Sequence, residues 1–314
     1  MKKIFCFLFL YIIANLAAIA QQDPQFTFNK QTLLTVNPGY AGNDGRISGT
    51  ILNRYQWDGV PGAPKTLVFS AGAATQLFGI NSGVGINLIS DELGFSKNIN
   101  ISFDYSYRRK IKFGELGIGT SLGFYNTAIK AVWYIPESGY HQTVDEDNEI
   151  PPAESSQLAF DLGLGIYLRS NDYFFGVSAT HINEPSILMG ETARFYLARH
   201  YYMSGGYNIK LSDPLYEIQT AIYIKTDMAA YQADFNAELV YKSRFSAGLN
   251  YRINDAVSVL VGFEMNNGLR MGYAYDIMTS ALAGYGGGSH EIFLSYSIDL
   301  GKNRSKKYKS IRYL

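Results

Sequence analysis

The chain has 314 residues, with 27 basic and 27 acidic side chains, 25 Tyr, 19 Phe and one Cys. Balanced charge argues against a nucleic-acid binder, which carries a clear basic excess. A mean hydropathy of -0.07 excludes a polytopic helical membrane protein, but not a membrane β-barrel, whose strands hide an apolar face by alternation.

Residues 1–20 read as a signal peptide. Lys2 and Lys3 form a basic start, Ile4 to Ile13 is an apolar run, and Ala18-Ile19-Ala20 fits the small-x-small cleavage pattern. Cleavage there removes Cys6, so the mature chain is expected to have no disulfide, thiolate ligand or Cys nucleophile. Without Lys2, Lys3 and the six basic residues of the last 14 positions, 19 basic side chains remain against 27 acidic ones. The body is acidic, and residues 301–314 form a basic tail.

Residues 21–44, with Pro24, Pro38 and a Gly-rich turn at Gly39 to Gly45, form a structured lead-in rather than a strand. It is expected to lie at the periplasmic mouth or in a lumen. From residue 45 to 300, period-2 alternation dominates. Leu158, Phe160, Leu162, Leu164, Ile166 and Leu168 face one way, opposite Ala159, Asp161, Gly163, Gly165 and Tyr167. About fourteen such segments, each near the ten residues that cross a bilayer obliquely, span 45–54, 65–76, 80–90, 98–109, 114–126, 157–168, 173–180, 198–210, 215–225, 230–241, 244–252, 256–265, 268–276 and 290–300.

A soluble sandwich also alternates, so the connections decide. They run long then short from the first strand onward. The longer set includes Tyr55–Pro64, Asp91–Lys97, Thr127–Ser156, His181–Leu197 and Ile277–Ser289. That asymmetry suits a transmembrane antiparallel β-barrel with short periplasmic turns and long extracellular loops. Aromatic residues near strand ends (Tyr105, Tyr107, Tyr201, Tyr202, Tyr241, Tyr251, Tyr273 and Tyr275) fit interfacial girdles, or ordinary strand composition.

The inward face combines glycines (Gly83, Gly85, Gly117, Gly119, Gly163, Gly165 among them) with charges: Asp104, Arg108, Asp161, Lys225, Asp234, Glu238, Arg252, Glu264, Arg270, Asp276, Glu291 and Asp299. Opposite charges can pair across a lumen. Glycines let a plug or a neighbouring strand come close. No helix follows the G-x-G pairs, so they are not nucleotide loops.

Several segments together carry a family resemblance: Gln22-Asp23-Pro24-Gln25-Phe26-Thr27, Asn37-Pro38-Gly39-Tyr40-Ala41-Gly42, Arg54-Tyr55-Gln56-Trp57, Gly62-Ala63-Pro64-Lys65-Thr66, Tyr251-Arg252, Gly272-Tyr273-Ala274-Tyr275-Asp276 and Gly288-Ser289-His290-Glu291-Ile292. In order, they resemble the PorP/SprF family of Bacteroidetes outer-membrane proteins, associated with type IX secretion and gliding motility. Gly39 stands where that family more often has Ala. The resemblance implies a non-enzymatic role in the outer membrane of a Gram-negative, Bacteroidetes-like cell. The partners it implies are secretion-system components and the C-terminal domain of a secreted protein or adhesin, exported or held at the surface. Outer-membrane lipid is the surrounding partner, and no cofactor or nucleic acid is implied.

Candidate partner contacts are Arg54, Gln56, Trp57, Gly62 and Pro64 in the first external loop, since Arg and Trp are enriched at binding hot spots. The alternative is that Arg54 and Trp57 brace the loop internally. A second candidate is Trp133, Tyr134 and Tyr140 in the acidic loop 127–156. Its run Asp145 to Glu149 lacks EF-hand spacing, so no metal site is expected there. The tail from Lys302 to Arg312 either docks on acidic or phosphate-rich surfaces or stays solvated.

Enzyme signatures are missing. Ser289 and His290 are adjacent on a strand and diverge to opposite faces, and no G-x-S-x-G or H-E-x-x-H motif occurs. His290 is expected to brace the last strand. A small-solute channel is the alternative to a secretion partner. A channel needs an open, wet lumen, whereas a partner can have one filled by its own chain.

Overall fold

A computed structural model describes residues 23–130, 154–189, 193–284 and 286–299. Fourteen antiparallel strands form a closed barrel. In chain order they are β1 (Ile47–Tyr55), β2 (Lys65–Leu77), β3 (Ile80–Leu93), β4 (Ser96–Ile111), β5 (Gly114–Lys130), β6 (Glu154–Arg169) and β7 (Tyr173–Thr180), followed after a small hairpin by β10 (His200–Lys210), β11 (Tyr216–Thr226), β12 (Tyr231–Tyr241), β13 (Phe245–Arg252), β14 (Ala256–Glu264), β15 (Leu269–Met278) and β16 (Ser289–Ile298). Each barrel strand pairs with its sequence neighbours, and β1 closes the ring against β16 from Ile47↔Ile298 to Tyr55↔His290. All fourteen strands expected from alternation are present, with ends displaced by a few residues.

Alternation sorts the side chains as the period-2 rule requires. On β6, Leu158, Phe160, Leu164 and Ile166 face outward, while Asp161, Gly163, Gly165 and Tyr167 face in. Phe103, Leu122, Phe235, Leu249, Val259 and Leu294 continue the outer apolar surface on other strands. A continuous apolar band around a closed barrel needs lipid, because water-soluble surfaces rarely expose apolar patches beyond a few hundred Å². Among the described residues no helix is long and apolar enough to cross a membrane; the strands do the crossing. Leu164→Arg, in the middle of β6, is therefore expected to destabilise the barrel by about 2–4 kcal/mol in a bilayer. Urea unfolding in lipid vesicles measures this, and an unchanged midpoint would count against a lipid-facing Leu164.

Four expectations need correction. The connection expected at Asp91–Lys97 shrinks to two residues, because β3 and β4 run on to Leu93 and Ser96 and Gly94 turns the chain with a positive φ of 59°. The long connection after β7 contains a hairpin, β8 (Ser186–Met189) with β9 (Ala193–Tyr196). Its short strands lack the ten-residue alternation that reveals a membrane strand. The hairpin's Ile187 packs with Leu197 and with Tyr125 of β5. Arg54, placed in the first loop, is the last inward residue of β1 and is buried. Tyr202, grouped with the girdle, faces inward and is buried, whereas Tyr105, Tyr107, Tyr251 and Tyr273 are exposed.

The barrel interior is occupied by residues 23–44, which contain no strand but include one helical turn, α1 (Leu33–Val36), and a 3-10 turn at Pro38–Tyr40. Phe26, Phe28, Leu33, Leu34 and Ala41 of this segment are buried. Phe26 and Phe28 pack with Leu52, Val68, Leu260, Ala274 and Phe293 on the inner wall. A polar lumen thus still contains an apolar core, formed by two plug phenylalanines against five wall side chains.

Candidate functional site

The site is the plugged lumen, built in three tiers. At the long-loop end, β1, β13, β15 and β16 each deliver a charged side chain inward, and β12 adds a third acid beside them. Arg54 donates to Glu291 at 2.8 Å and to Asp276 at 2.7 Å. Arg252 donates to Asp234 at 2.9 Å and lies 3.3 Å from Asp276. Arg54 and Arg252 are almost fully shielded from solvent, as are Asp276 and Glu291. The plug completes the network. The backbone N–H groups of Thr27 and Phe28 donate to Glu291 at 2.9 and 2.7 Å, and the Thr27 hydroxyl donates to Asp276 at 2.7 Å. Arg252 donates to the Phe26 carbonyl at 2.9 Å, and Asn29 donates to Asp234 at 2.9 Å. Buried charges hold only when paired and hydrogen-bonded; here the wall's charges are satisfied by plug backbone.

The middle tier depends on wall glycines. A Cβ on Gly83 would stand 1.9 Å from the Ala41 carbonyl, one on Gly117 2.2 Å from the Gly39 carbonyl, and one on Gly119 2.4 Å from Pro38. In each case the obstacle is plug backbone. Asn37 also donates to the Ile166 carbonyl at 3.1 Å while accepting from the Gly39 N–H at 2.9 Å.

At the short-turn end, Arg108 donates to the Ala41 carbonyl at 2.9 Å and Arg169 to the Asn43 carbonyl at 2.9 Å. Below the plug a polar vestibule of about 420 Å³ is lined in part by Lys30, Arg46, Glu264 and Arg270.

The head of the plug forms a further cluster. Asp23 Oδ1 is 2.9 Å from His181 Nε2, and His181 Nδ1 is 2.9 Å from Asp161. Asp23 Oδ2 accepts from Tyr202 and, at 3.2 Å, from Thr180, while Lys225 donates to the Asp23 carbonyl at 2.9 Å. Burial disfavours charge on the Asp23 carboxyl, yet the facing His181 and His200 rings and the bonds from His181 and Tyr202 hold it well below the usual carboxylate range. Burial also opposes charge on His181, but Asp23 and Asp161 outweigh it and raise its pKa to about 10.

The residues singled out from sequence fall into distinct places. Of the lumen charges, Arg252 and Asp276 join the upper network, Arg108 grips the plug and pairs with Glu115 at 3.1 Å, and Glu238 meets Lys30 of the plug at 3.4 Å. Asp161 Oδ2 lies 2.9 Å from His181 Nδ1. Asp104 accepts from Asn87 at 2.6 Å. Glu264 and Arg270 pair at 3.2 Å, half-exposed at the vestibule. Asp299 lies beyond β16 and is exposed.

In the first loop, Gln56 N–H bonds the Pro64 carbonyl at 3.0 Å and Trp57 N–H bonds Ser289 at 3.1 Å. The Gly62 carbonyl accepts from Gly94 at 2.9 Å. This loop is tied to its neighbours and encloses a pocket of about 440 Å³. Arg54 is not part of that surface. Trp133, Tyr134 and Tyr140, the run Asp145 to Glu149, residues 1–20 and the tail from Lys302 to Arg312 lie outside the described residues. Ser289 faces in and is buried, while His290 faces out and pairs with the Tyr273 hydroxyl at 2.7 Å, so the two diverge as strand neighbours must.

Sequence reasoning missed Asp23, Thr27, Asn37, His181, His200 and Tyr202 as site residues. Extending the β10 alternation back from Ser204 would have put Tyr202 and His200 inward. Nothing periodic marks the plug residues.

Closed barrel and inward plug together define an outer-membrane β-barrel whose lumen is filled by its own N-terminal segment. Residues 18–296 match the family model of the type IX secretion system membrane protein PorP/SprF, and the chain belongs to that family. Among solved structures, the toluene transporter TodX of P. putida is 11% identical over 85% of this chain and 93% of its own, with a TM-score of 0.49. The toluene transporter TbuX of Ralstonia pickettii is 9% identical over 85% of this chain and 93% of its own, with a TM-score of 0.48. Among curated proteins nothing matches the chain.

Proposed function

We propose that this barrel is an outer-membrane partner of type IX secretion that helps export or surface-anchor a secreted protein, such as a gliding adhesin, by binding its C-terminal domain. Residues 1–20 deliver it to the envelope and are then removed. The observation that carries this reading over a solute channel is the filled lumen: residues 23–44 are held at the long-loop end by buried Arg252 and Glu291 and at the short-turn end by Arg108 and Arg169. A filled lumen is not the open, wet path that a simple diffusion channel needs. Family membership supports the secretion role. The tied first loop, with Trp57, is the partner surface, and Arg54 supports it from below.

Deleting this gene alone is expected to remove cargo from the cell surface while small-solute permeability stays unchanged. Trp57→Ala is expected to weaken capture of cargo by the assembled barrel. Steady single-channel currents from the purified wild-type protein, together with intact surface cargo in the deletion strain, would instead establish the channel.

A further inference from the structure

We propose that Asp23, His181 and His200 form a binding site for a divalent transition-metal ion of the zinc class, which staples the head of the plug to the barrel wall. One donor atom from each of the three residues lies within 4.8 Å of the other two. Imidazole and carboxylate with no thiolate is a donor set that zinc accepts, at bond lengths of about 2.0–2.2 Å.

The surroundings are those of a built site. His181 presents Nε2 to Asp23, and its Nδ1 stands 2.9 Å from Asp161. A carboxylate behind the far ring nitrogen is the arrangement that orients metal-binding imidazoles. The second oxygen of Asp23 is held by Tyr202 and Thr180, while Oδ1 faces His181 Nε2 at 2.9 Å. His200 is fully buried; its Nδ1 lies 3.9 Å from Asp23 Oδ2 and 2.9 Å from the Ala198 carbonyl, and its Nε2 has no hydrogen-bond partner among the described residues. A buried, unpaired ring nitrogen costs free energy unless something fills its place. Asp161 Oδ1 is likewise buried without a partner.

A cavity of about 50 Å³ borders Asp23, Asp161, His181 and Tyr202. That volume holds a water molecule as a fourth ligand. The two carboxylates, Asp23 and Asp161, outnumber the single Lys225 ammonium nearby, a balance that favours a cation.

The three ligands join separate parts of the chain. Asp23 belongs to the plug, His181 follows β7, and His200 opens β10. An ion bound to all three therefore cross-links the plug to the wall at the end reached first from the cell exterior.

The test uses the whole barrel, purified in detergent without a polyhistidine tag, stripped with chelator and dialysed against zinc chloride. One zinc per barrel is expected by elemental analysis, with imidazole nitrogens in its X-ray absorption spectrum. His200→Ala and Asp23→Asn should each weaken zinc binding at least about tenfold, while His141→Ala leaves it unchanged. Heat-shifted electrophoretic mobility confirms that each variant is folded. Should His181→Ala fail to fold, the other two variants decide. Zinc no higher than background in the wild type, or undiminished zinc in a folded His200→Ala barrel, would overturn the proposal.

Discussion

Arg54→Ala is expected to cost the folded barrel about 3–5 kcal/mol, read as a lowered urea midpoint in detergent or lipid. The size follows from what remains. Glu291 stays buried with only the N–H groups of Thr27 and Phe28, and Asp276 keeps the Thr27 hydroxyl and the more distant Arg252. Removing one partner of a buried pair leaves an uncompensated charge, which is worse than removing both. The double variant Arg54→Ala with Glu291→Gln should therefore recover part of the loss, and a double-mutant cycle measures the coupling. Lys97→Ala is the contrast. Its 2.6 Å pair with Glu92 is about half-exposed on both sides, and its loss should cost about 0–1 kcal/mol. An Arg54→Ala barrel as stable as wild type would show that the upper network does not hold the plug.

Gly119→Val is expected to open the barrel. The new side chain would occupy space already taken by the Pro38 backbone, 2.4 Å from where its Cβ must stand. Backbone cannot swing aside as a flexible side chain can, so either the plug leaves or the strand distorts. The strand is held on both edges by complete ladders with β4 and β6, while the plug at this level rests on isolated hydrogen bonds. The plug yields, and the purified variant should pass steady ionic current where the wild type passes none. Gly83→Val should act alike, since its Cβ would meet the Ala41 carbonyl at 1.9 Å. Gly49→Val is the control, because the nearest atom to its Cβ is 3.9 Å away. Sealed Gly119→Val and Gly83→Val barrels would overturn the idea that plug–glycine contacts close the lumen.

Much of this architecture is legible along the chain because strand alternation is local. Parity placed Asp234, Arg252, Asp276 and Glu291 inward before any partner was known, and each is buried in the lumen. The same rule separated Ser289 from His290. Parity says nothing of how far a strand continues past the bilayer, so β3 and β4 run on beyond the spans that alternation marks, and Arg54, at the boundary of strand and loop, proves to be an inward residue of β1. The β8–β9 hairpin escaped notice because four-residue strands carry too few alternations to stand out.

No local pattern decides whether residues 21–44 lie at the periplasmic mouth or in the lumen. Residues 23–44 have no strand, only a helical turn and a 3-10 turn, and their meaning lies in contacts across the barrel. Thr27 bonds Asp276, 249 positions away, and Asp23 receives Tyr202, 179 positions away. By itself the sequence determined the number of barrel strands, their inner and outer faces, and the charges and glycines that line the lumen, because side-chain direction in a strand follows from position alone. Only the tertiary structure decided that the N-terminal segment fills that lumen, that Arg54 supports it, and that Asp23 meets two histidines. Those facts depend on which distant groups satisfy one another's buried charge and fit against bare glycine backbone, and ring closure alone brings such groups together.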